Sequence, residues 1–443
     1  MERGQSKMNF NKILNKSKEV GFSDFEIHIQ TAGSLEASLF LGEIQQNVQS
    51  DITSITLRGV YNEKLVLMKI ERLDEDYIIS CLPELKEMAN YITTKEPVFL
   101  FEGSKSYPEI PEHIENIDDF EMDKKIELLK KLEEIIVSYD NRIAKEVNCA
   151  YQESIEGLTI VNTKGLNVSR NSKGAFIYAQ ALAKTKTEAQ SSFDFQMVTD
   201  FNEFDVVKLG KKIANDAVSM LGAQPLPSKK YDVVFDESAF SSLLGAFSGM
   251  FSADAAMKKL SPIKDKLNEK IFGDNVTIVD TGINKDALSF VTFDSEGVST
   301  RYKEVVKNGV FKTFLHNLQT ASVFNAEPTG NGTKNGVSTL CFYLEKGNDK
   351  FEDIIKDITD GVYVTDLMGL HAGLNTQSGD FNLQSSGYHI VNGEIKEPFN
   401  LVVISGNFME MMNEITHIGD KVKYRFGTGS PVVRVKPLMV SGK

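Results

Sequence analysis

Apolar residues first fall at helical spacing at Phe10, Ile13 and Leu14, and Gly21 stands where such a helix would end. The pattern then switches to alternation. Phe25–Gln30, Leu35–Leu41, Ile52–Leu57 and Leu65–Ile70 read as strands, the last two joined across Tyr61-Asn62-Glu63-Lys64. A helix over Asp76–Tyr91, kinked or restarted at Pro83, completes a small α+β unit. Residues 95–118 carry Pro97, Pro108 and Pro111 among acidic side chains and read as a linker. Beyond it, Ile126, Leu129, Leu132, Ile135 and Ile136 form one stripe of a charged helix. Strands are expected from Val147 to about Val198, then an amphipathic helix over Asp205–Leu221 that stops at Gly222.

Ala223-Gln224-Pro225-Leu226-Pro227-Ser228 reads as a second boundary. After it comes a short apolar strand, Tyr231–Phe235. Asp236 or Ser238 can cap the next helix, whose apolar face is Phe240, Leu243, Leu244, Phe247 and Phe251. The remainder is strand-rich, with hairpin turns at Asn308-Gly309 and Asn392-Gly393. The expected architecture is α+β: a domain over 1–94, a strand-rich domain with flanking helices over 119–222, and a β-rich domain over 229–443.

Composition narrows the functional classes. A length of 443 residues suits more than one domain, and 41% hydrophobic with 25% charged residues is ordinary for a globular protein. No apolar run is long enough for a membrane helix, and the start MERGQSKMNFNK has no apolar core of a secretory signal, so the cytoplasm is expected. The net charge of -13 opposes a phosphate backbone, which argues against direct nucleic-acid binding. Cys81, Cys149 and Cys341 are odd in number, widely spaced and free of any CxxC, so neither disulfides nor a thiolate zinc site is expected.

Chemistry-bearing motifs are scarce. The six histidines, His28, His113, His316, His371, His389 and His417, include no pair at the spacing that lets two rings reach one metal from a helix. A site assembled from Cys341, His371 and His389 stays open, but Cys341 lies in the strand-like run Ser338–Leu344 and reads as core. There is no GxSxG elbow, and the glycines of Thr329–Gly336 lack the order of a phosphate loop, so a turn is favoured. The most unusual stretch is 366–388, DLMGLHAGLNTQSGDFNLQSSGY. It is either a long connection held by its own hydrogen bonds or a wall of a binding cleft, with His371, Asn375 and Asp380 as its polar lining.

One ordered set of short motifs supplies the rest. Phe293-Asp294-Ser295-Glu296-Gly297-Val298, Asn308-Gly309-Val310, Thr329-Gly330-Asn331, Gly369-Leu370-His371, Ser378-Gly379-Asp380-Phe381-Asn382, Asn392-Gly393-Glu394 and Ile404-Ser405-Gly406-Asn407-Phe408 follow one another. In that order they resemble the TldD/PmbA proteins, once called modulators of DNA gyrase and regarded as metallopeptidases. Asn162-Thr163-Lys164-Gly165 and the helix-strand-strand opening extend the resemblance over nearly the whole chain. Two branches of that family pair as a heterodimer, and the TldD branch bears a HExxxH zinc helix. Here the corresponding helix reads Gly245-Ala246-Phe247-Ser248-Gly249-Met250, with Gly245, Ala246 and Met250 at the histidine and glutamate positions. The chain therefore resembles the PmbA (TldE) branch. Gly332 and Lys334 follow the TGN where the family has alanine and arginine, so no guanidinium role is carried over.

The resemblance implies no zinc in this chain and zinc in a TldD-type partner, whose metal and glutamate would act on peptides or unfolded polypeptides. This chain would close the chamber and hold substrate; whether it forms homodimers when the partner is missing stays open. A regulatory or peptide-binding module without a share in catalysis is the alternative reading, and an independent peptidase with scattered ligands is a third.

Overall fold

The computed structural model describes residues 8–93 and 99–443. Residues 1–7, Pro97 and the first part of the expected 95–118 linker lie outside them. The α+β class is what the chain adopts: helices and antiparallel strands gather in separate layers.

The first helix, α1 (Phe10–Val20), buries Ile13 and Leu14. Gly21 ends it at φ 110°, a left-handed angle that costs a glycine little, and its N–H donates to the Ser17 and Lys18 carbonyls. Next come β1 (Asp24–Phe40), β2 (Glu43–Tyr61) and β3 (Lys64–Ile70). Asn62 and Glu63 both take positive φ, the mirror-image turn that matches strand twist, so the β2–β3 hairpin forms where alternation placed it. The two strands expected in Phe25–Gln30 and Leu35–Leu41 are one. The intervening Thr31–Ser34 pair with β2 on one side and, on the other, with β4 (Asn148–Asn162), so no turn interrupts them. α2 (Glu75–Met88) holds Pro83 inside a single helix.

After α3 (Met122–Tyr139), β4 is followed by β5 (Asn167–Lys184), β6 (Ala189–Val198) and α4 (Val206–Ser219). Segments 1–94 and 119–222 contribute three strands each to one six-stranded sheet, ordered β3-β2-β1-β4-β5-β6. The odd-numbered face of β1 serves two cores. Phe25, Ile27 and Ile29 pack with residues of α1 and α2, while Ala37 and Leu39 pack with residues of α3 and α4.

The C-terminal region begins with β7 (Lys229–Phe235) and α5 (Glu237–Phe247). β8 (Ile278–Thr281), β9 (Lys303–Lys307), β10 (Val310–Phe311) and β11 (Cys341–Leu344) follow, then β12 (Asp360–Met368), β13 (Asp380–Val391) and β14 (Glu394–Asn407). The last four are β15 (Ile415–Ile418), β16 (Lys423–Arg425), β17 (Thr428–Ser430) and β18 (Val433–Ser441). One sheet runs β14-β13-β12-β7-β18-β15, with β14 also paired to β18; the other runs β10-β9-β8-β11-β17-β16. α5 lies between these sheets and buries Phe240, Leu243, Leu244 and Phe247 in the largest core of the molecule. Burying one such aromatic side chain favours the fold by about 2–3 kcal/mol, so this helix is fixed in place by its apolar face.

β7 and β12 run parallel, Val364 opposite Phe235. β7 therefore ends just before Asp236 while β12 runs on past it, which puts Asp236 and Asp366 at the same end of the sheet. Among the described residues no helix is long and apolar enough to cross a membrane.

Candidate functional site: a polar cleft between two sheets

Where β7 and β12 end, the C-terminal region faces the edge of the N-terminal sheet, and a cleft of about 880 Å³ opens between them. One wall comes from the first turns of α5, the second half of β12, the middle of β13, the Asn400-Leu401 pair of β14, and β16. The other comes from β6 with Gln180 of β5 and from the exposed flank of α4.

A charged latch crosses the cleft. Arg425 of β16 pairs with Asp194 of β6 at 2.9 Å, and Lys212 of α4 bridges Asp194 at 3.0 Å and Asp216 at 2.6 Å. Burial would raise the Asp194 carboxyl, but the Lys212 and Arg425 charges outweigh it and hold the group below the usual carboxylate range. Arg425 also donates to Ser238 Oγ and lies over the Phe195 ring, which stacks on Phe426 at 4.3 Å between centroids. Ser219 Oγ and Tyr388 Oη close a second crossing at 2.6 Å.

The α5 side differs. Asp236 caps the helix, accepting from Ala239 N–H, and burial pushes its carboxyl up to about 7. Asp366, near the end of β12, is exposed on the cleft side, and the surrounding walls still push its carboxyl upward. Glu237 stands beside them in the first turn of α5.

The positions expected for zinc ligands lie further along the same helix. A side chain at Gly245 would meet Thr428 Cγ2 at 3.0 Å, and α5 gives way after Phe247 to a 3₁₀ turn that holds Met250 at 2% exposure. Gly245 and Ala246 carry no donor atom, and the Met250 thioether is packed among apolar neighbours, so these residues do not fit a zinc ion. Among the described residues no three His, Cys, Asp or Glu side chains group as a metal site. Cys341 is buried, its thiol pushed up to about 12 by that burial, and His389 binds Asp360 at 2.7 Å.

Segment 366–388 divides. Asp366, Leu367, Met368, Gln384, Ser386 and Tyr388 line the cleft. His371, Asn375 and Asp380 lie in or beside the connection between β12 and β13, and none of the three lines it. The Asn375 side chain accepts from Gln377 and Ser378 N–H. Asp380 accepts from Ser378 Oγ and from Asn407 Nδ2, which holds its carboxyl below the usual range and stitches the connection to the end of β14. His371 is exposed.

The short motifs further upstream turn inward. Asp280, at 0% exposure, pairs with Lys303 at 3.0 Å and accepts from Asn331 Nδ2 and Leu340 N–H. Thr329 Oγ1 donates to Asn331 Oδ1, and His316 N–H donates to Thr329. The Thr329–Gly336 stretch is a turn braced by this network, and no phosphate loop. Burial also lowers His316 to about 4, a ring kept neutral.

Sequence patterns do not single out Asp194, Lys212 and Arg425. Asp194 did leave a signal: in the alternating run Phe193-Asp194-Phe195 a carboxylate occupies a position facing Ala179, on the helix-covered side of the sheet, and is 4% exposed. A buried-face acid calls for cations from elsewhere. Nothing local in the sequence says which ones.

Family models for the PmbA/TldA metallopeptidase match this chain twice, the central domain at residues 115–221 and the C-terminal domain at 228–442. A metalloprotease PmbA homologue of Buchnera aphidicola is 28% identical over 305 residues, 64% of this chain and 66% of that protein. A metalloprotease of Methanocaldococcus jannaschii is 24% identical over 92% of both chains. Among solved structures, a Thermotoga maritima protein whose name associates it with modulation of a DNA gyrase is 31% identical, with a TM-score of 0.90 over 98% of this chain and 99% of that one. TldE of Thermococcus kodakarensis, 23% identical, shares the fold at a TM-score of 0.88 over 98% and 100%.

Proposed function

The chain belongs to the PmbA/TldD metallopeptidase family, and from that premise we propose that it is the non-metal subunit of a heterodimeric peptidase that cleaves peptides or unfolded polypeptides. One observation carries this reading: the helix where the family places zinc ligands is present, but Gly245, Ala246 and Met250 supply no ligand set and no proton acceptor. The same helix opens onto a large polar cleft, so the architecture of a site is kept while its metal donors are missing. The hydrolytic groups are then the partner's. This chain's own residues close the chamber, latch its two regions through Asp194 and Arg425, and present polar and apolar side chains to substrate.

Metal analysis tests this directly. The chain purified alone is expected to hold no stoichiometric zinc, and its complex with a HExxxH-bearing relative about one ion per pair, read by mass spectrometry of the metal. A full equivalent of zinc on the isolated chain would overturn the proposal.

The three polar residues of the β12–β13 connection belong to the proposal as a rim of the chamber. Since Asn375 and Asp380 are engaged in holding the connection together, His371→Ala is expected to lower peptide cleavage by the reconstituted complex several-fold without changing the melting temperature. Asp380→Ala should lower both. Unchanged cleavage by both variants would remove this connection from the chamber.

A further inference from the structure

The cleft has a rim and a floor of opposite character. Phe193, Met368 and Leu401 line it, yet they are 50%, 44% and 66% exposed, and Phe426, at 67%, stacks on Phe195 next to Phe193. Leu401 and Phe426 moreover take φ of 53° and 45°, so two large apolar side chains are held outward on left-handed backbone. On the floor, the parallel strands β7 and β12 bring Asp236, Glu237 and Asp366 to one end of the sheet. Asp194 and Asp216 are neutralised by Lys212 and Arg425. Asp236, Glu237 and Asp366 make no ion pair among the described residues. Lys423 also lines the cleft, which leaves three unpaired carboxylates against one unpaired cation. Burial raises the Asp236 carboxyl, and the Lys423 and Lys212 charges do not offset it.

We propose that this cleft is an anchoring subsite for an extended polypeptide segment in which a lysine or arginine is flanked by apolar residues. The basic side chain enters between Asp236, Glu237 and Asp366, while its neighbours lie on Phe193, Leu401 and Phe426. The volume is within the roughly 300–1,000 Å³ of pockets that enclose a compact ligand, and charge on the floor with apolar contact at the rim selects a side chain that is itself a long apolar stem with a cationic tip. The subsite makes and breaks no covalent bond. It rests on the reading of the chain as a peptide-handling subunit and adds to it what kind of segment is held, and where.

The test uses the full chain and fluorescein-labelled octapeptides with a central Leu-Lys-Phe. Matched peptides carry norleucine or glutamate in place of lysine, or serine in place of leucine and phenylalanine, and binding is followed by anisotropy. The lysine peptide is expected to bind about tenfold more tightly than the norleucine peptide, and the glutamate peptide more weakly still. The double variant Glu237→Gln/Asp366→Asn should bring the lysine peptide down to the norleucine level while leaving the norleucine peptide unchanged, which controls for misfolding. Leu401→Gly, which relieves a left-handed φ, should weaken both peptides several-fold.

Equal affinity for lysine and norleucine peptides, or no effect of the double variant, would overturn the proposal. So would self-association of the chain that these substitutions abolish without any peptide binding, because the cleft would then be a contact between copies. Cleavage by the complex with a zinc-bearing partner is assayed separately. Its failure would remove the peptidase reading and leave a measured binding preference standing, whereas cleavage with unaltered peptide selectivity in the double variant would remove only the subsite.

Discussion

Replacing Lys303 by methionine is expected to destabilise the C-terminal region by about 3–5 kcal/mol, because it leaves the buried carboxylate of Asp280 without its counter-ion. The two side chains are 5% and 0% exposed, and Lys303 makes the 3.0 Å ion pair while donating also to the Thr329 carbonyl. Burial lowers the Lys303 ammonium, while Asp280 pulls the other way. Urea unfolding followed by circular dichroism reads the change, since the chain has no tryptophan to report by fluorescence. The double variant Lys303→Met/Asp280→Asn is expected to recover much of the loss. The asparagine amide would keep an oxygen for the Leu340 N–H and bring no unpaired charge, at the loss of the hydrogen bond from Asn331 Nδ2. If the double variant were no more stable than the single one, the loss would come from side-chain packing and not from charge.

Asp236→Asn should act in the opposite direction, and only above mild acid. The folded-state carboxyl titrates at about 7 against 3.8 for an unperturbed aspartate, so between those values the native chain binds more protons than the unfolded one. Stability contributed by that site therefore falls as pH rises from about 4 to 7, and the penalty is complete above 7. Asparagine caps a helix about as well as aspartate and carries no charge, so the Ala239 N–H keeps its acceptor. A dry site shifted this far would account for about 4 kcal/mol, but the cleft is open to water, and screening brings the expected gain at pH 8 to about 1–2 kcal/mol. At pH 4.5 parent and variant should coincide. Burial also pushes Asp294 and Glu296 upward, to about 6 and 7; they are common to both proteins, and the difference between the two urea midpoints isolates Asp236. A gain as large at pH 4.5 as at pH 8 would show that the carboxylate is not the source.

Local order was readable where one short stretch determines it. Gly21, the Asn62-Glu63 turn and the Asp236 cap each decide a boundary through their own backbone or side chain, and the structure bears each of them out. The continuity of β1 was not readable, because Thr31–Ser34 hold their extended form through partners on two other strands, Ser50–Thr53 of β2 and, more than a hundred residues later, Ser154–Gly157 of β4. The cleft shows the same limit. Its floor is assembled from the ends of two parallel strands, and its latch from Asp194, Lys212 and Arg425 on three separate elements. A pattern with period 2 or 3.6 reports which face of one element is apolar, and it carries no information on which ends meet. The ordered motifs of the C-terminal half proved informative about family, yet several of their polar residues, Asp294, Thr329 and Asn331 among them, are spent on internal bracing.

The pairing of β1 with β4 also sets a timetable for synthesis. A ribosome adding about 5–20 residues per second needs roughly 5–20 seconds to travel from the end of β1 to the start of β4. For the part of that interval after β3 is made, the β1–β2–β3 ribbon leaves the long outer edge of β1 with nothing beside it, and until α3 follows, its distal half has no helix beneath Ala37 and Leu39. The nascent chain is most prone to wrong pairing during that wait. A chaperone that shields strand edges should raise the yield of this protein most when translation through α2 and α3 is slow.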